Sequence, residues 1–339
     1  MLKKLQAFLS GVAEIAYQRL TLWMASSGLI LTALTLVEAA KKETGDVYRQ
    51  AVIELYAGSS DILMNLPFEG IAGNAMKYNR EASLPGVGFR GINESYTAST
   101  GVLNPLTESL VIAGGDLDVD KFIIDTMGAG QREVHESMKV RALSLAWTRK
   151  FIKGDNQSDP REFDGLQTRA TGAQVIDAGA TAGGAALSLA VLDAAIDQTL
   201  NPTHLIMSKA MRRRLTQAAR NTAVGGFITY GVDAFGRKIA QYNDLPILIV
   251  DLDNVGVAIL GFTEAAASGG ATATSIYIVS MGADSLQGIE NGGVDVRDLG
   301  ELQTAPVFRT RVEWYNGIGV FNGRAVTRLR YIGDLAVVA

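Results

Sequence analysis

The sequence predicts an α+β fold, and three observations carry that expectation. Residues 118–153 hold one continuous helical pattern, residues 74–112 read as a long polar ribbon with no helical face, and residues 306–333 alternate apolar and polar side chains as a strand does. At 339 residues the chain is long enough for roughly two domains, and 37 glycines against 7 prolines point to many turns.

Composition removes several kinds of chemistry. With no cysteine there are no disulfides, no thiolate metal sites and no cysteine nucleophile. The two histidines, His135 and His204, lie in different expected elements and leave little for an imidazole-based metal or acid–base centre. A formal charge of -4 with mixed signs offers no basic footprint for gripping phosphate backbones. No catalytic residue, cofactor site or metal site is expected.

The first seventy residues read as helices, with Gly58 followed by Ser59, Ser60 and Asp61 as a stop and restart. Within them Leu20 to Val37 runs 18 residues without a charge, near the length of a membrane span. Ser26, Ser27, Gly28 and several threonines dilute it, and Glu14 and Arg19 break the region a signal peptide would need. It is read as a buried or subunit-contacting helix, with a membrane or targeting segment as the alternative.

The ribbon contains Gly86, Gly88 and Gly91 in the spacing of a dinucleotide loop. Such a loop needs a buried strand before it and a helix N-terminus after it to bind pyrophosphate; "KYNREASLP" and "INESYTASTG" supply neither. The glycines are therefore read as positive-φ turn residues at a hairpin tip. Arg80, Glu81, Arg90 and Glu94 make the flanks polar on more than one side, so the ribbon, with Phe89 at its end, should project and meet a neighbour.

From Asp118 to Lys153, Ile123, Met127, Val134, Met138, Leu145 and Ile152 fall on one helical face, Asp116 or Asp118 can cap the start, and Gly154 closes it. Such a helix would be ~54 Å long. Residues 165–179 read as extended chain. A helix over 187–200, a strand over 204–207 and a helix over 209–220 follow, then strands over 238–242, 246–251, 256–262 and 275–280. Arg212, Arg213 and Arg214 point three ways on their helix, as a solvated or intersubunit face does. In the tail, Phe308, Thr310, Val312 and Trp314 form one face against Arg309, Arg311 and Glu313, with Asn316-Gly317 and Asn322-Gly323 as turn residues.

The phrases "LTLVEAAKKETGD", "LPFEGIAGNAMKYNRE", the glycine-tipped hairpin, "GGDLDVDKFI" before the long helix and "VFRTRVEWYNGIGVFNGRAVTRLRYI" resemble, in this order, the major capsid proteins of tailed bacteriophages with the Hong Kong 97-type fold. The likeness runs from about Leu34 to the C-terminus. It implies an N-terminal arm over 1–70, an extended loop over 71–115 lying on an adjacent subunit, and a peripheral domain over 116–176 with its spine helix. It also implies an α/β axial domain over 177–305 and return strands over 306–339 completing the peripheral sheet. By the same resemblance, copies would form pentamers and hexamers of an icosahedral virion shell. That shell would be assembled in the host bacterial cytoplasm around double-stranded DNA without sequence-specific contacts, with scaffolding, portal and decoration proteins as partners and no membrane. Arg80, Glu81, Gly86, Gly88, Phe89, Arg90 and Glu94 would be its intersubunit contacts. Some members join subunits through a loop lysine; Lys77 stands at the ribbon base, so that chemistry is not carried over. An encapsulin-like compartment shares the architecture. A nucleotide-dependent enzyme using the three glycines and a membrane-anchored surface protein using residues 20–37 are the readings from other classes.

Overall fold

The computed structural model describes residues 34–35, 60–127, 130–220, 228–232 and 238–338. The apolar segment 20–37 and the helical reading of residues 1–59 lie outside the described residues, apart from the two-residue strand β1 (Leu34–Thr35). The first half then runs α1 (Asp61–Asn65), β2 (Pro67–Gly70), β3 (Ala75–Ser83), β4 (Val102–Ser109), β5 (Val111–Asp120), α2 (Lys121–Met127), α3 (Gly130–Lys153), α4 (Leu166–Arg169), β6 (Val175–Asp177) and α5 (Leu189–Gln198). The second half runs β7 (His204–Ser208), α6 (Lys209–Ala218), β8 (Ile228–Val232), β9 (Lys238–Tyr242), β10 (Leu245–Val250), β11 (Ala273–Val279), β12 (Leu286–Glu301), β13 (Val307–Val320) and β14 (Val326–Gly333).

Among the described residues there are three sheets: a five-stranded one in the order β1-β2-β12-β13-β5, a seven-stranded one in the order β6-β14-β11-β7-β10-β9-β8, and the pair β3-β4. Period-two alternation explains how the seven-stranded sheet is covered on both faces. Ile206, Leu248, Val250, Tyr277 and Val279 face a core shared with α3 and the five-stranded sheet. Leu205, Met207, Ile247, Ile276 and Ile278 face a second core under α5 and α6.

The spine helix departs from expectation at its start. Residues 111–120 are strand, because Asp116 and Asp118 stand directly opposite Arg311 and Arg309 and take both guanidinium forks at 2.6–2.8 Å. Asp120 caps the following helix instead, its Oδ1 accepting from Phe122 N at 2.8 Å. The 24 residues of α3 span ~36 Å rather than ~54 Å. Gly154 does close it: an added Cβ would sit 2.3 Å from the Phe163 carbonyl oxygen.

The buried face of α3 also differs. Val140, Ser144, Trp147 and Phe151 recur at steps of four, three and four and are buried, while Val134 and Met138 of the expected stripe are exposed. Polar positions in that face hid it from a reading by hydrophobicity. Two of these polar groups are paired across the core: Glu136 accepts from Thr310 Oγ1 at 2.6 Å, and Thr148 Oγ1 meets Ser60 Oγ at 2.8 Å. Trp147 docks the helix, its Nε1 donating to Asn316 Oδ1 at 2.9 Å while its ring lies 5.2–5.8 Å from Phe151 and Trp314.

Four further differences concern strands. Residues 256–262 are turn and bridge, pinned where Asp253 Oδ1 accepts from Val255 N and Val257 N. The unanticipated β12 pairs with β13 over most of its length, so the 305/306 boundary falls inside a hairpin. Asn316-Gly317 is mid-strand in β13, whereas Asn322-Gly323 does turn the chain, but between two sheets: β13 joins the five-stranded sheet and β14 the seven-stranded one. Residues 165–177 form a helical turn, a 3₁₀ turn and β6 in place of extended chain.

Candidate intersubunit surface

The ribbon expected over 74–112 is present. β3 and β4 pair antiparallel from Ala75↔Ser109 to Ser83↔Val102, with a register shift between Glu81 and Ser83. Among the described residues these two strands pair only with each other, so body contacts near their root set the ribbon's direction. Tyr78 meets Phe321 edge-on at 4.6 Å, and its hydroxyl lies 3.1 Å from both Glu108 Oε1 and the Val320 carbonyl oxygen. Glu108 in turn accepts both Arg169 terminal nitrogens at 2.6 and 2.7 Å, linking the ribbon to α4. Burial, reinforced by the Glu108 carboxylate, pushes the Tyr78 phenol up to about 12.

Residues 84–101, the tip, form no regular element. Phe89 is 103% exposed, Ile92 93% and Val87 88%, with Leu84 and Tyr96 also open to solvent. Local polar braces shape the loop without covering these side chains. Arg90 Nη1 donates to the Glu94 carbonyl oxygen at 3.2 Å and its guanidinium lies 5.2 Å from the Tyr96 ring centre; Gly91 N donates to Glu94 Oε2 at 2.8 Å; Ser99 Oγ donates to the Gly86 carbonyl at 2.8 Å. The three glycines do not serve as positive-φ residues, a role that Asn93 takes at φ 64°. Gly91 instead permits close approach, since a Cβ there would lie 3.2 Å from the Glu94 carboxylate. An exposed strand precedes them, and irregular chain and then β4 rather than a helix N-terminus come directly after them.

The seven residues singled out from the sequence separate into two sets. Arg80 and Glu81 line a groove of about 860 Å³ at the ribbon root. Gly86, Gly88, Phe89, Arg90 and Glu94 belong to the tip. Sequence reading missed the root clamp, because Tyr78, Glu108 and Arg169 are distant in sequence and meet only through folding; the uncovered Val87 and Ile92 were legible as apolar residues in a polar loop. Among the described residues no group of three or more carboxylate or histidine side chains is placed to hold a metal ion. His204 Nδ1 lies 2.9 Å from Thr203 Oγ1, and burial depresses its imidazole to about 4. The arginine run splits as expected, Arg214 pairing with Asp334 while Arg213 faces solvent.

Comparison with solved structures decides the fold. The chain superimposes on the SrpI encapsulin of Synechococcus elongatus with a TM-score of 0.57 at 14% identity, covering 82% of this chain and 89% of that one. It matches the capsid of a native GTA particle (TM-score 0.56, 15% identity, 81% and 91% covered) and a chain of Mycobacterium phage Bobi (0.56, 14%, 80% and 89%). The chain has the Hong Kong 97-type capsid fold. A family model, major capsid protein GP7, matches residues 43–203, which include the ribbon and the spine helix. No curated protein sequence matches significantly. The resemblance to tailed-phage major capsid proteins therefore stands on a family model over residues 43–203 and on a shared fold.

Proposed function

We propose that copies of this chain assemble into pentamers and hexamers of an icosahedral phage head enclosing double-stranded DNA. In this assembly the β3–β4 ribbon is the extended loop lying over an adjacent subunit. The observation that supports this reading most directly is the tip: a braced loop that holds three large apolar side chains almost wholly in water on a firmly clamped stalk. Exposed apolar clusters of this kind mark interaction sites. Stable interfaces bury ~1,200–2,000 Å², which the exposed outer face and tip of the ribbon can help supply. Arg80, Glu81, Arg90 and Glu94 set register across that seam more than affinity. In the same reading residues 1–70 form the arm, scaffolding, portal and decoration proteins are the partners, and the virion is the location.

The test is electron microscopy of the purified protein together with an Arg80→Ala/Arg90→Ala variant. Shells are expected from the parent; the variant should remain folded by circular dichroism and assemble poorly. Intact shells from the variant overturn the role given to these charges. The match to the SrpI encapsulin favours a second reading, a protein compartment of the same fold. Nuclease-protected DNA inside the particles supports the phage head, and a co-purifying enzyme supports the compartment.

A further inference from the structure

The groove at the ribbon root is complementary to the ribbon's own tip. Its walls carry the rings of Tyr78 and Phe321 and the thioether of Met76, and its rim carries the carboxylates of Glu69, Glu81 and Asp284. Arg80 and Arg324 are the cations of that lining, and the Arg324 guanidinium is already engaged by the carbonyl oxygens of Gln198 and Asp197 at 3.1 and 3.2 Å. The balance therefore favours a cation. Gln287 lines the groove, is 1% exposed and donates its amide to Glu69, which leaves its buried Oε1 without a donor. An orphaned acceptor of that kind costs ~1–3 kcal/mol until a donor reaches it.

The tip presents what the groove lacks: apolar Val87, Phe89 and Ile92 beside the guanidinium of Arg90. A volume of about 860 Å³ lies in the range, ~300–1,000 Å³, that encloses several side chains. Of the tip's exposed apolar residues Leu84 lines the groove of its own chain while Val87, Phe89 and Ile92 are not among its described lining, and Phe89 is 103% exposed.

We infer that the groove lined by Tyr78, Glu81, Asp284, Gln287 and Phe321 is the socket for the hairpin tip of a second copy, with Phe89 against the aromatic wall and Arg90 at the carboxylate rim. The inference rests on the shell reading above and names the receiving surface. Plug and socket are different surfaces of one element, so the contact is heterologous: each copy gives a tip and takes one, and the chain of contacts closes only as a ring.

The absence of cysteine makes the test clean. In a Gly88→Cys/Ala283→Cys variant, oxidation should give disulfide-linked ladders of subunits on denaturing gels, because the bond forms only when Cβ atoms approach to ~3.5–4.5 Å. Each single variant should give no ladder. As a second arm, Arg90→Glu and Asp284→Arg should each lower the assembled fraction, by ~10-fold, and the two together should restore most of it. Shells that form without cross-links and without charge-swap rescue overturn the socket while leaving the shell reading intact. Parent protein that never assembles removes both.

Discussion

At the root of the β3–β4 ribbon, Tyr78, Glu108, Arg169 and Phe321 are drawn from four separate stretches and satisfy one another within a single chain. At its tip, roughly ten residues further out, Val87, Phe89 and Ile92 have water as their surroundings, and the hydrogen bonds present only hold the loop's shape. The root resembles a domain interior, where polar groups are paired and removing one partner strands the other. The tip resembles half of an interface. The difference teaches where stability and assembly reside on one structural element, and it predicts that mutations at the two ends fail in different assays.

The largest effect on folding is expected at the root. Arg169→Ala leaves the half-buried Glu108 carboxylate without its bidentate partner and should cost about 3 kcal/mol, read as a lower denaturant midpoint in chemical unfolding. Proteolysis within residues 75–109 should accelerate in the same variant, because the clamp is what holds the ribbon to the body. An unchanged midpoint and an unchanged cleavage rate would show that the stalk is fixed by other contacts.

A smaller effect follows from Tyr78. Its folded pKa, about 12, lies above the unfolded value near 10, so the neutral phenol's contribution is fully present below pH 10 and is lost as pH rises through 12. Allowing for partial solvent screening, the loss should be roughly 1–2 kcal/mol across that window. Tyr78→Phe removes the titrating group, so its stability should be lower at neutral pH and flatter between pH 10 and 12. A parallel alkaline profile in the variant would assign the loss to another group.

The sequence made some of this legible and concealed the rest for identifiable reasons. The ribbon was visible because thirty-odd polar and glycine-rich residues between two breakers cannot form a helix face. The Thr310, Val312 and Trp314 face of β13 was visible because alternation is a local signal, and these residues are buried as expected. The spine helix was visible as an element, but its inward face was not: Glu136 and Thr148 lie in the core through hydrogen bonds to Thr310, Ser60 and the Ser144 carbonyl, and no hydrophobic count registers such pairing. β12 was missed because its glycines and charges (Gly288, Gly292, Gly293, Asp295, Arg297, Asp298) resemble a loop. Pairing with β13 and the ring of Phe68 packed against Gly288 make it a strand. The charges of Asp116 and Asp118, which suggested a helix cap, serve the sheet because Arg311 and Arg309, nearly two hundred residues later, lie directly across from them.

The smallest effect on the folded subunit is expected at the tip, and there the comparison between the two ends is sharpest. Phe89 is fully exposed, so Phe89→Asp should change unfolding free energy by no more than ~0.5 kcal/mol, the range of an ordinary surface substitution. The same change places a carboxylate where the proposed partner surface offers aromatic rings and a carboxylate rim, so burial would strand an unpaired charge facing like charge. Assembly should therefore be abolished while the denaturation curve overlays that of the parent's dissociated subunit. Phe89→Leu, which keeps an apolar side chain, should assemble. If Phe89→Asp forms shells as readily as the parent, the tip is not an interface, and its exposed apolar side chains have no role in holding subunits together. If instead it unfolds the subunit, the tip and root do not divide the work of assembly and stability as their contacts indicate.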